Sequence, residues 1–505
     1  MTVQDRHRSQ TVALASSVAS FLFVATVAAT PGSPFVPVLP DAARSAGPFR
    51  WLAELVGLDA VHGSALAAVG VVAAASAAAA FLLLLRETLR GTVRVRTVLG
   101  LAVAYHVALL FLPLLFSRDV YSYAYYGRIA ATYHANPYVA TPADFPSDAL
   151  SAFVGPKWFD TPAVYGPLWI QLSAVVVRAV DGVTAVIVTF RLLAIAASLG
   201  TVAIVARLVR RVRPGREAFA VALIGANPVV LFQSVASGHN DLLVMLCIAG
   251  ALALVFAGRE LPATAALALG ALVKAPAAIP LVLLVVAAVA RRPVGARVRA
   301  LAAHVAVAGG LALAAAAPFL NLRDPTLGMV ELATHEGWLA PSRFFRRVLD
   351  AISGHALGML PRILFPMLLI GGLFLVGRTV VRRAPSTPEL LGASWGWGLL
   401  CLMLLGPVLL PWYVVWALPL GWLLPVQPRS VLIGTSAALT LSQWTSEPAR
   451  FGAAYDLNLW FGHYVVTPVV IALLAWLLVD LWRRTRSGAP LEDVPRGIPA
   501  PARQR

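Results

Sequence analysis

Charged residues are scarce in this sequence: they make up 12% of its 505 residues, whereas hydrophobic residues make up 59%. Soluble domains contain about 25% charged residues, so this composition excludes an ordinary soluble protein and predicts an all-α polytopic membrane protein. Cysteine is almost absent as well, because only Cys247 and Cys401 occur, both inside apolar runs. Two isolated thiols in such runs indicate packing residues rather than a disulfide or a metal site.

The motifs of several common site types are also missing. No Gly-rich loop ends in Lys-Ser or Lys-Thr, which argues against ATP-driven transport by this chain alone. No Asp-x-Asp pair is present of the kind that holds a metal beneath a nucleotide-sugar, and no His/Cys group has zinc spacing. We therefore expect no firm cofactor and no metal ligand set, while a divalent metal is compatible with the sequence.

Positive charge is abundant by comparison, with a formal net charge of +17. The arginines form short clusters between apolar runs, which is typical of cytoplasmic loops rather than of a nucleic-acid-binding groove. Orienting the runs by those clusters predicts about 13 or 14 membrane segments in residues 1–486, including Trp412–Val426, with both termini in the cytoplasm. Residues 487–505 are rich in Pro and Arg and are predicted to be a disordered cytoplasmic tail.

Two long polar stretches, residues 117–182 and 321–362, are predicted to be loops on the outer side of the plasma membrane. The run Gly166–Val180 in the first loop is too short to cross a core of about 30 Å, so we expect a helix at the interface. Cytoplasmic arginines flank Ala263–Ala290 at both ends, which predicts two short helices that meet at Lys274-Ala275-Pro276.

The densest polar chemistry follows the third apolar run, in SRDVYSYAYYGRIAATYHANPY at residues 117–138. Asp119 stands where a membrane helix meets water, and a shielded carboxylate there suits a general base for a sugar hydroxyl. Burial favours its neutral form, whereas Arg118 and Arg128 favour the anion. The alternative for Asp119 is a plain ion pair with Arg118 at a helix end. The neighbouring aromatic residues either bind sugar or anchor helices at the interface.

Three further groups of polar residues are candidates for binding. Lys274 lies in the apolar segment ALVKAPAAIP, where a phosphate would be its natural partner, unless it simply reaches the surface from a helix end. Arg343 and Arg346 lie in PSRFFRR on the predicted outer side, which suits phosphate or anionic-lipid recognition or a solvated amphipathic helix. The SGHND turn supplies three more candidates or is only a turn: His239, Asn240 and Asp241.

Taken in order, the segments SRDVYSYAYYGR, NPY, VYGPLW, GHNDLL and LVKAPAAIPL resemble those of the polyprenol-phosphate-mannose-dependent α-1,6-mannosyltransferases of actinobacteria. Those enzymes are membrane-embedded glycosyltransferases of the GT-C fold. The resembling segments run from about Ser117 to Pro280. The resemblance implies a GT-C bundle that forms a single transmembrane glycosyltransferase domain over residues 1–486, with interfacial helices in its two large outer loops.

The resemblance also implies roles for the candidate residues. Asp119 would be the base that activates the acceptor hydroxyl, and Lys274, Arg343 and Arg346 would hold the donor phosphate. The residues implied for sugar or acceptor binding are Arg118, Tyr121, Tyr123, Arg128, Tyr165, His239, Asn240 and Asp241. The donor would be polyprenyl-phosphate mannose in the membrane lipid, and the acceptor a mannosylated phosphatidylinositol or another glycolipid. Direct displacement of the phosphate would invert the anomeric centre and give an α-linked product.

Two other functions fit parts of the same pattern. A GT-C enzyme for another lipid-linked sugar, such as arabinose, would have the same features. A secondary transporter or lipid flippase would use Lys274 and the broken segment Ala263–Ala290 as its substrate site. A transporter should place its charges near the bilayer midplane, whereas most acids here fall in the two outer loops. The sequence therefore favours a glycosyltransferase.

Overall fold

A computed structural model describes residues 3–40, 48–320, 336–337, 339–445 and 452–493. Throughout those residues the secondary structure is helical, without a β-strand. By length and composition, eight of the described helices could cross a membrane: Gln4–Ala29, Gly63–Leu89, Val183–Val212, Glu217–Val235, Val294–Phe319, Met359–Arg382, Pro388–Leu405 and Ala453–Ser487. The chain is an all-α polytopic membrane protein, as predicted, because only helices satisfy every backbone polar group within an apolar segment of this kind.

The first half of the chain builds the part of the bundle that carries the predicted first loop. Its helices are α1 (Val3–Ala29), α2 (Phe49–Leu55), α3 (Gly63–Leu89), α4 (Val95–Leu109), α5 (Asp119–Ala131), α6 (Pro156–Phe159), α7 (Pro167–Ala179), α8 (Val183–Val212), α9 (Glu217–Gly225) and α10 (Asp241–Phe256). A π-helical segment, Val229–Val235, continues α9 towards the SGHND turn. Irregular helical turns of this type often occur beside functional sites.

The second half closes the bundle around the same end. Its helices are α11 (Glu260–Val273), α12 (Ala278–Ala290), α13 (Val294–Ala316), α14 (Pro341–Ser353), α15 (Met359–Arg382), α16 (Pro388–Leu405), α17 (Val426–Ser442), α18 (Ala453–Phe461) and α19 (Thr467–Ser487). Helices α11 and α12 confirm the predicted break inside Ala263–Ala290. Lys274 has extended backbone angles and Pro276 lacks an N–H, so the first helix ends there and a 3₁₀ turn, Ala275–Ala277, starts the next.

The prediction of a membrane helix at Trp412–Val426 was wrong. The chain there forms two short 3₁₀ helices, Pro411–Trp416 and Leu418–Leu420, and their residues are buried inside the bundle. Prolines at 411, 419 and 425 remove backbone donors that an α-helix over this stretch would need. The segment therefore packs as a compact plug among the helices, and it carries Trp412, Tyr413 and Trp416 into the interior.

The predicted disordered tail is ordered in its first part. Leu491 is fully buried, its carbonyl accepts a hydrogen bond of 3.0 Å from Nε1 of Trp397, and the Asp493 carboxylate lies 2.7 Å from Arg213. These contacts hold residues 488–493 against the bundle, because the Asp493 carboxylate forms ion pairs with Arg213 and Arg429. The rest of the predicted tail, residues 494–505, lies outside the described residues, as do residues 321–335 and 338 of the second predicted loop.

Helices α5 and α7 build the predicted first loop as a packed unit. At Gly127 in α5, a Cβ would stand only 2.6 Å from the carbonyl group of Ser173 in α7, so glycine is what allows the two backbones to meet. One face of α7 is buried, including Trp169, and Gln171 donates a hydrogen bond of 2.7 Å to the carbonyl of Ala315 in α13. The loop is therefore tied to the bundle rather than extended from it.

Candidate active site

Asp119 is the first residue of α5, and its carboxylate faces the centre of the bundle end. The segment before Asp119 is anchored by a backbone hydrogen bond of 2.7 Å from the N–H of Phe116 to the carbonyl of Phe35. The N–H of Asp119 donates to Oγ of Ser117 at 3.1 Å. The side chain is 18% exposed, so it stays accessible while most of its hydration is removed. Burial raises the pKa of Asp119, and the charge of Asp241 adds to that rise; hydrogen bonds from Ser117 and Tyr165 and the charge of Lys274 oppose it.

The SGHND turn places His239 directly against that carboxylate. Nδ1 of His239 lies 3.7 Å from Oδ2 of Asp119 and 3.4 Å from the hydroxyl of Tyr123. The imidazole stacks on Trp412 with ring centroids 4.0 Å apart. Its Nε2 is buried and has no hydrogen-bond partner among the described residues. A buried polar atom of this kind is costly unless something binds it, so Nε2 is a candidate contact for substrate.

The turn itself depends on Gly238. Its φ of +69° lies in the left-handed region, and a side chain there would press on Val120 of α5 at 3.2 Å. The next residue but one, Asn240, has its Oδ1 3.4 Å from the Tyr123 hydroxyl, and its Nδ2 is buried without a partner among the described residues. The sequence SGHND therefore brings two amide or imidazole N–H groups close to α5.

Asp241 and Lys274 form a buried ion pair beside Asp119. Nζ of Lys274 lies 2.9 Å from both carboxylate oxygens of Asp241, and Nε1 of Trp416 donates to one of them at 2.8 Å. The ammonium also lies 4.7 Å from the ring centroid of Tyr413, within range of a cation–π interaction. Asp241 thus holds the lysine charged and fixes its position in an apolar surrounding.

Lys274 opens onto a cavity of about 230 Å³ whose other walls are largely apolar. Gly166 closes one side, and its N–H donates to the carbonyl of Val273 at 3.0 Å. A Cβ on Gly166 would lie 2.0 Å from the carbonyl oxygen of Leu272. The start of α7 can therefore approach the end of α11 this closely only because residue 166 is glycine. A second apolar cavity of about 460 Å³ shares Leu402 and Pro407 with the first. These two adjoining cavities make up a mainly apolar path beside Lys274, although Glu336 and Arg362 also line the second cavity.

The structure divides the predicted sugar-binding residues into two sets. Tyr123 and Tyr165 belong to the central cluster, where their rings pack edge to face at 4.8 Å. Arg128 lies elsewhere, with its Nε 2.6 Å from the buried carboxylate of Asp148. Tyr121 is buried and stacks on Phe153. Arg118 donates to the carbonyl of Val38 in the segment that follows α1.

Arg343 and Arg346 lie on α14, apart from the cavity that Lys274 lines. Arg346 is paired with two carboxylates, Glu336 at 2.6 Å and Asp350 at 3.3 Å. Arg343 instead lines another cavity, of about 600 Å³, together with Arg347. The three residues predicted to hold one phosphate therefore fall into two different places.

Two residues with a part in this site escaped the sequence analysis. Trp416 supports Asp241, but one more aromatic residue among thirteen tryptophans carries no signal by itself. Arg191 lies inside the apolar run of α8, is buried, and donates to the carbonyls of Leu112, at 2.9 Å, and Leu109. It thereby satisfies the C-terminal end of α4, just before the segment that carries Asp119. An arginine within a membrane segment is a signal that could have identified it.

The arrangement combines groups suited to a displacement reaction. Asp119 can accept a proton, His239 and Asn240 can donate hydrogen bonds, and Lys274 can stabilise negative charge next to an apolar path. In the described parts of the chain, no group of three or more His, Cys, Asp or Glu side chains is arranged to hold a metal.

Comparison with known proteins agrees with this chemistry. A family model described as "Alpha-(1->6)-mannopyranosyltransferase, N-terminal domain" matches residues 19–291, which include Asp119, Asp241 and Lys274. The Alpha-(1->6)-mannopyranosyltransferase A of Mycobacterium tuberculosis is 28% identical over 447 residues, covering 83% of this chain and 82% of that protein. The protein of the same name from Corynebacterium glutamicum is 30% identical over 176 residues, 35% of each chain. No solved structure matches the chain.

A polytopic helical bundle with this match over more than half of its length is a membrane-embedded glycosyltransferase. More closely, the chain belongs to the alpha-(1→6)-mannopyranosyltransferase family.

Proposed function

We propose that this enzyme transfers mannose from polyprenyl-phosphate mannose to a mannosylated phosphatidylinositol or a similar glycolipid, forming an α-1,6 linkage. The observation that carries the proposal is the position of Asp119, 3.7 Å from His239 and within electrostatic reach of the paired Lys274. The names of the two relatives support mannose as the sugar and α-1,6 as the linkage. A related enzyme that moves a different lipid-linked sugar, such as arabinose, is the alternative within the same class.

In the proposed step, Asp119 removes the proton from the 6-hydroxyl of the acceptor mannose. That oxygen forms a bond to C1 of the donor mannose while the bond from C1 to the phosphate oxygen breaks, and the electron pair leaves with the phosphate. A single displacement inverts the anomeric centre and converts a β-linked donor into an α-linked product. The pKa of Asp119, which burial raises, supports this role because a more basic carboxylate accepts a proton more readily.

The donor phosphate is proposed to meet Lys274 and the polyprenyl chain to follow the apolar path beside it. An ammonium has three N–H donors, and Asp241 does not use all of them, so at least one can reach a phosphate oxygen. The negative charge that develops on the leaving phosphate is then stabilised in an apolar surrounding, where such stabilisation is strongest. His239 Nε2 and Asn240 Nδ2 are proposed to hold sugar hydroxyls.

This site is proposed to face the outside of the plasma membrane, with both termini in the cytoplasm. Supporting contacts come from the opposite set of loops, where Arg213, Arg429 and Arg383 meet Asp493 and Glu492. Clustered arginines favour the cytoplasmic side. Single cysteines in place of Asp160 and of Arg211, in a background without Cys247 and Cys401, test this with a membrane-impermeant thiol reagent. Labelling of intact cells at 160 alone is expected, and labelling at 211 alone would reverse the topology.

The function is tested by supplying radiolabelled mannose to membranes on different carriers, with an octyl α-1,6-dimannoside as the acceptor. We expect transfer from polyprenyl-phosphate mannose and none from a nucleotide-linked mannose once synthesis of the lipid-linked donor is blocked. The product should lose its label to an α-1,6-specific mannosidase. Transfer only from the nucleotide sugar would overturn the proposed donor. Transfer only from a lipid-linked arabinose would replace mannose with that sugar.

A further inference from the structure

The cavity lined by Arg343 and Arg347 lies between α14, the end of α17 and α18, and is called the α14 cavity. The proposed reaction does not use it. Its volume is about 600 Å³. Its lining combines cations, amides and aromatic rings, among them Arg343, Arg347, His463, Gln443, Asn458 and Trp460. This mixture differs from the apolar cavity next to Lys274, and the type of ligand that it suits should differ as well.

The two arginines of this cavity, Arg343 and Arg347, have no carboxylate partner in the part of the chain that the structure describes. Among the residues that the structure describes, no carboxylate is within salt-bridge distance of Arg343 or Arg347, whereas Arg346 between them has two. Nε of Arg343 is buried and has no partner in the described part of the chain. Burial and repulsion from the charges of Arg347 and Arg346 lower the pKa of Arg343, while the charge of Glu336 opposes that fall. An anion bound between them would relieve that repulsion.

The sequence of α14 explains why the two arginines point the same way. Residues 343, 346, 347 and 350 are spaced by three or four and therefore share one face of the helix. Arg346 lies between Glu336 and Asp350 and is held there, so the two flanking arginines are left to line the cavity. The helix thus contributes a fork of two guanidinium groups, which suits bidentate contacts with a phosphate.

The cavity also adjoins the segment that carries the proposed base. The side chain of Gln443 lines it, and its Nε2 lies 3.5 Å from the carbonyl oxygen of Phe116, three residues before Asp119. Gly337, four residues before the start of α14, donates a backbone hydrogen bond of 2.9 Å to Pro407, which borders the Lys274 cavity. A lipid bound in the α14 cavity would therefore have its headgroup next to the reaction site.

We propose that the cavity between Arg343 and Arg347 binds the phosphodiester of the acceptor glycolipid. This inference rests on the proposed function, because it names the anion that the acceptor carries. The donor phosphate is the other available source of the same chemistry, but Lys274 already faces an apolar path suited to a polyprenyl chain. The amides and the tryptophan of the α14 cavity instead suit a sugar-bearing headgroup, because aromatic rings pack against sugars and amide groups form hydrogen bonds with them. The two substrates would then each have their own cation.

The test compares two acceptors in the double variant Arg343→Gln/Arg347→Gln. One is dimannosylated phosphatidylinositol, and the other is the neutral octyl dimannoside, which has no phosphate. We expect the KM for the phosphorylated acceptor to rise about tenfold or more, the loss expected from one charge-assisted contact. The KM for the neutral acceptor, the KM for the donor and kcat should stay within about twofold of wild type. The variant Arg50→Gln removes an exposed arginine that does not line the cavity and serves as a control for the loss of positive charge elsewhere.

Three results would overturn the inference. A rise in the donor KM, with the acceptor KM unchanged, would move the donor phosphate to this cavity. An equal rise for both acceptors would mean that the phosphate is not what the arginines recognise. No change in any constant would leave contact with bulk anionic lipid or solvent as the role of α14. The lysine variant Arg343→Lys/Arg347→Lys should recover part of the lost affinity, and it reports on charge if the glutamine variant does not fold.

A binding measurement separates this inference from the proposed reaction. Wild type and variants in nanodiscs are titrated with dimannosylated phosphatidylinositol, without donor and therefore without turnover. Weaker binding by the double variant supports the cavity even if the donor proves to be a different one. Equal binding by wild type and double variant rejects the cavity even if transfer from polyprenyl-phosphate mannose is demonstrated.

Discussion

The central site and the cavity lined by Arg343 and Arg347 both contain cations, but among the described residues only the central site pairs its cation with a carboxylate. Lys274 has a bidentate carboxylate partner in Asp241 and a supporting tryptophan. Arg343 and Arg347 line one cavity and have no carboxylate within salt-bridge distance among the described residues. A compensated charge can be held at a fixed position without substrate. An uncompensated one favours an incoming anion. A positively charged side chain is thus suited to holding a fixed position in the central site and to attracting an anion in the α14 cavity.

The largest difference between the two regions is expected when one cation is removed from each and the unfolding temperature is measured. Lys274→Met leaves the buried Asp241 carboxylate unpaired, and breaking such a pair costs about 3–5 kcal/mol. We expect a clear fall in the unfolding temperature in detergent. Arg343→Gln changes the net charge by the same amount but relieves repulsion, so its unfolding temperature should be unchanged or slightly higher.

The double variant Lys274→Met/Asp241→Leu is the control for that measurement. It removes both charges together and should recover most of the stability that the single lysine variant loses, while it stays inactive. Equal destabilisation by Lys274→Met and Arg343→Gln would show that the two regions do not differ in charge compensation.

A second prediction concerns the close backbone contact that forms one wall of the central site. Gly166→Ala would place a Cβ 2.0 Å from the carbonyl oxygen of Leu272, so α7 must move away from α11. We expect a loss of about 1–3 kcal/mol in the free energy of unfolding, with a large loss of activity, because Lys274 lies two residues after Leu272. Gly100→Ala lies in open space within α4 and should be neutral or slightly stabilising. Full activity in Gly166→Ala would contradict the predicted displacement.

The third prediction separates structural from substrate-binding residues in the α5 region. Arg128→Gln leaves the buried carboxylate of Asp148 with only the Tyr133 hydroxyl and the Leu150 N–H as partners, at 2.7 and 2.8 Å. Stability should fall by about 1.5–3 kcal/mol, the range for a hydrogen bond to a charged group. The KM for both substrates should stay near wild type for the protein that remains folded. A raised KM with unchanged stability would return Arg128 to the sugar-binding residues that the sequence analysis assigned.

The fourth and smallest effect is a shift in the pH profile of transfer. The proposed base must be ionised to accept a proton, so the transfer rate should fall as the pH drops through the pKa of Asp119, which burial raises above its ordinary value. Ser117→Ala removes a hydrogen bond that lowers this pKa, so the acidic limb of log kcat should move to higher pH. An unmoved limb, or one displaced to lower pH, would exclude Asp119 as the group that titrates.

The sequence predicted the features that local chemistry determines. Pro276 and Lys274 marked the break between α11 and α12. Asp119 was placed where the third apolar run meets water, whereas it is the first residue of a separate helix, α5. Two partnerships were beyond it. The pairing of Lys274 with Asp241 joins residues 33 positions apart, and that of Arg128 with Asp148 joins residues 20 apart. Hydrophobic periodicity carries no information about which distant side chains meet. The roles of Arg128 in sugar binding and of Arg343 in donor-phosphate binding, which the resemblance implies, stay predictions.

Apolar composition also misled the assignment of one segment. The stretch from Trp412 to Val426 is hydrophobic enough for a membrane helix, yet its prolines break it into 3₁₀ turns that fill the bundle interior. A length and hydropathy criterion does not distinguish burial in protein from burial in lipid. The contact between the tail and Arg213 escaped for a similar reason, because a Pro-rich composition predicts disorder whenever the partner surface is unknown.

The most direct test of the central claim is the transfer rate of Asp119→Asn beside Asp160→Asn. The second variant removes an exposed carboxylate from the same predicted loop and matches the first in chemistry. With polyprenyl-phosphate mannose and the octyl dimannoside, kcat of Asp119→Asn should fall by about 10²- to 10⁴-fold, the contribution of a general base, while Asp160→Asn keeps the wild-type rate. Equal rates in wild type and Asp119→Asn would show that this carboxylate is not the base.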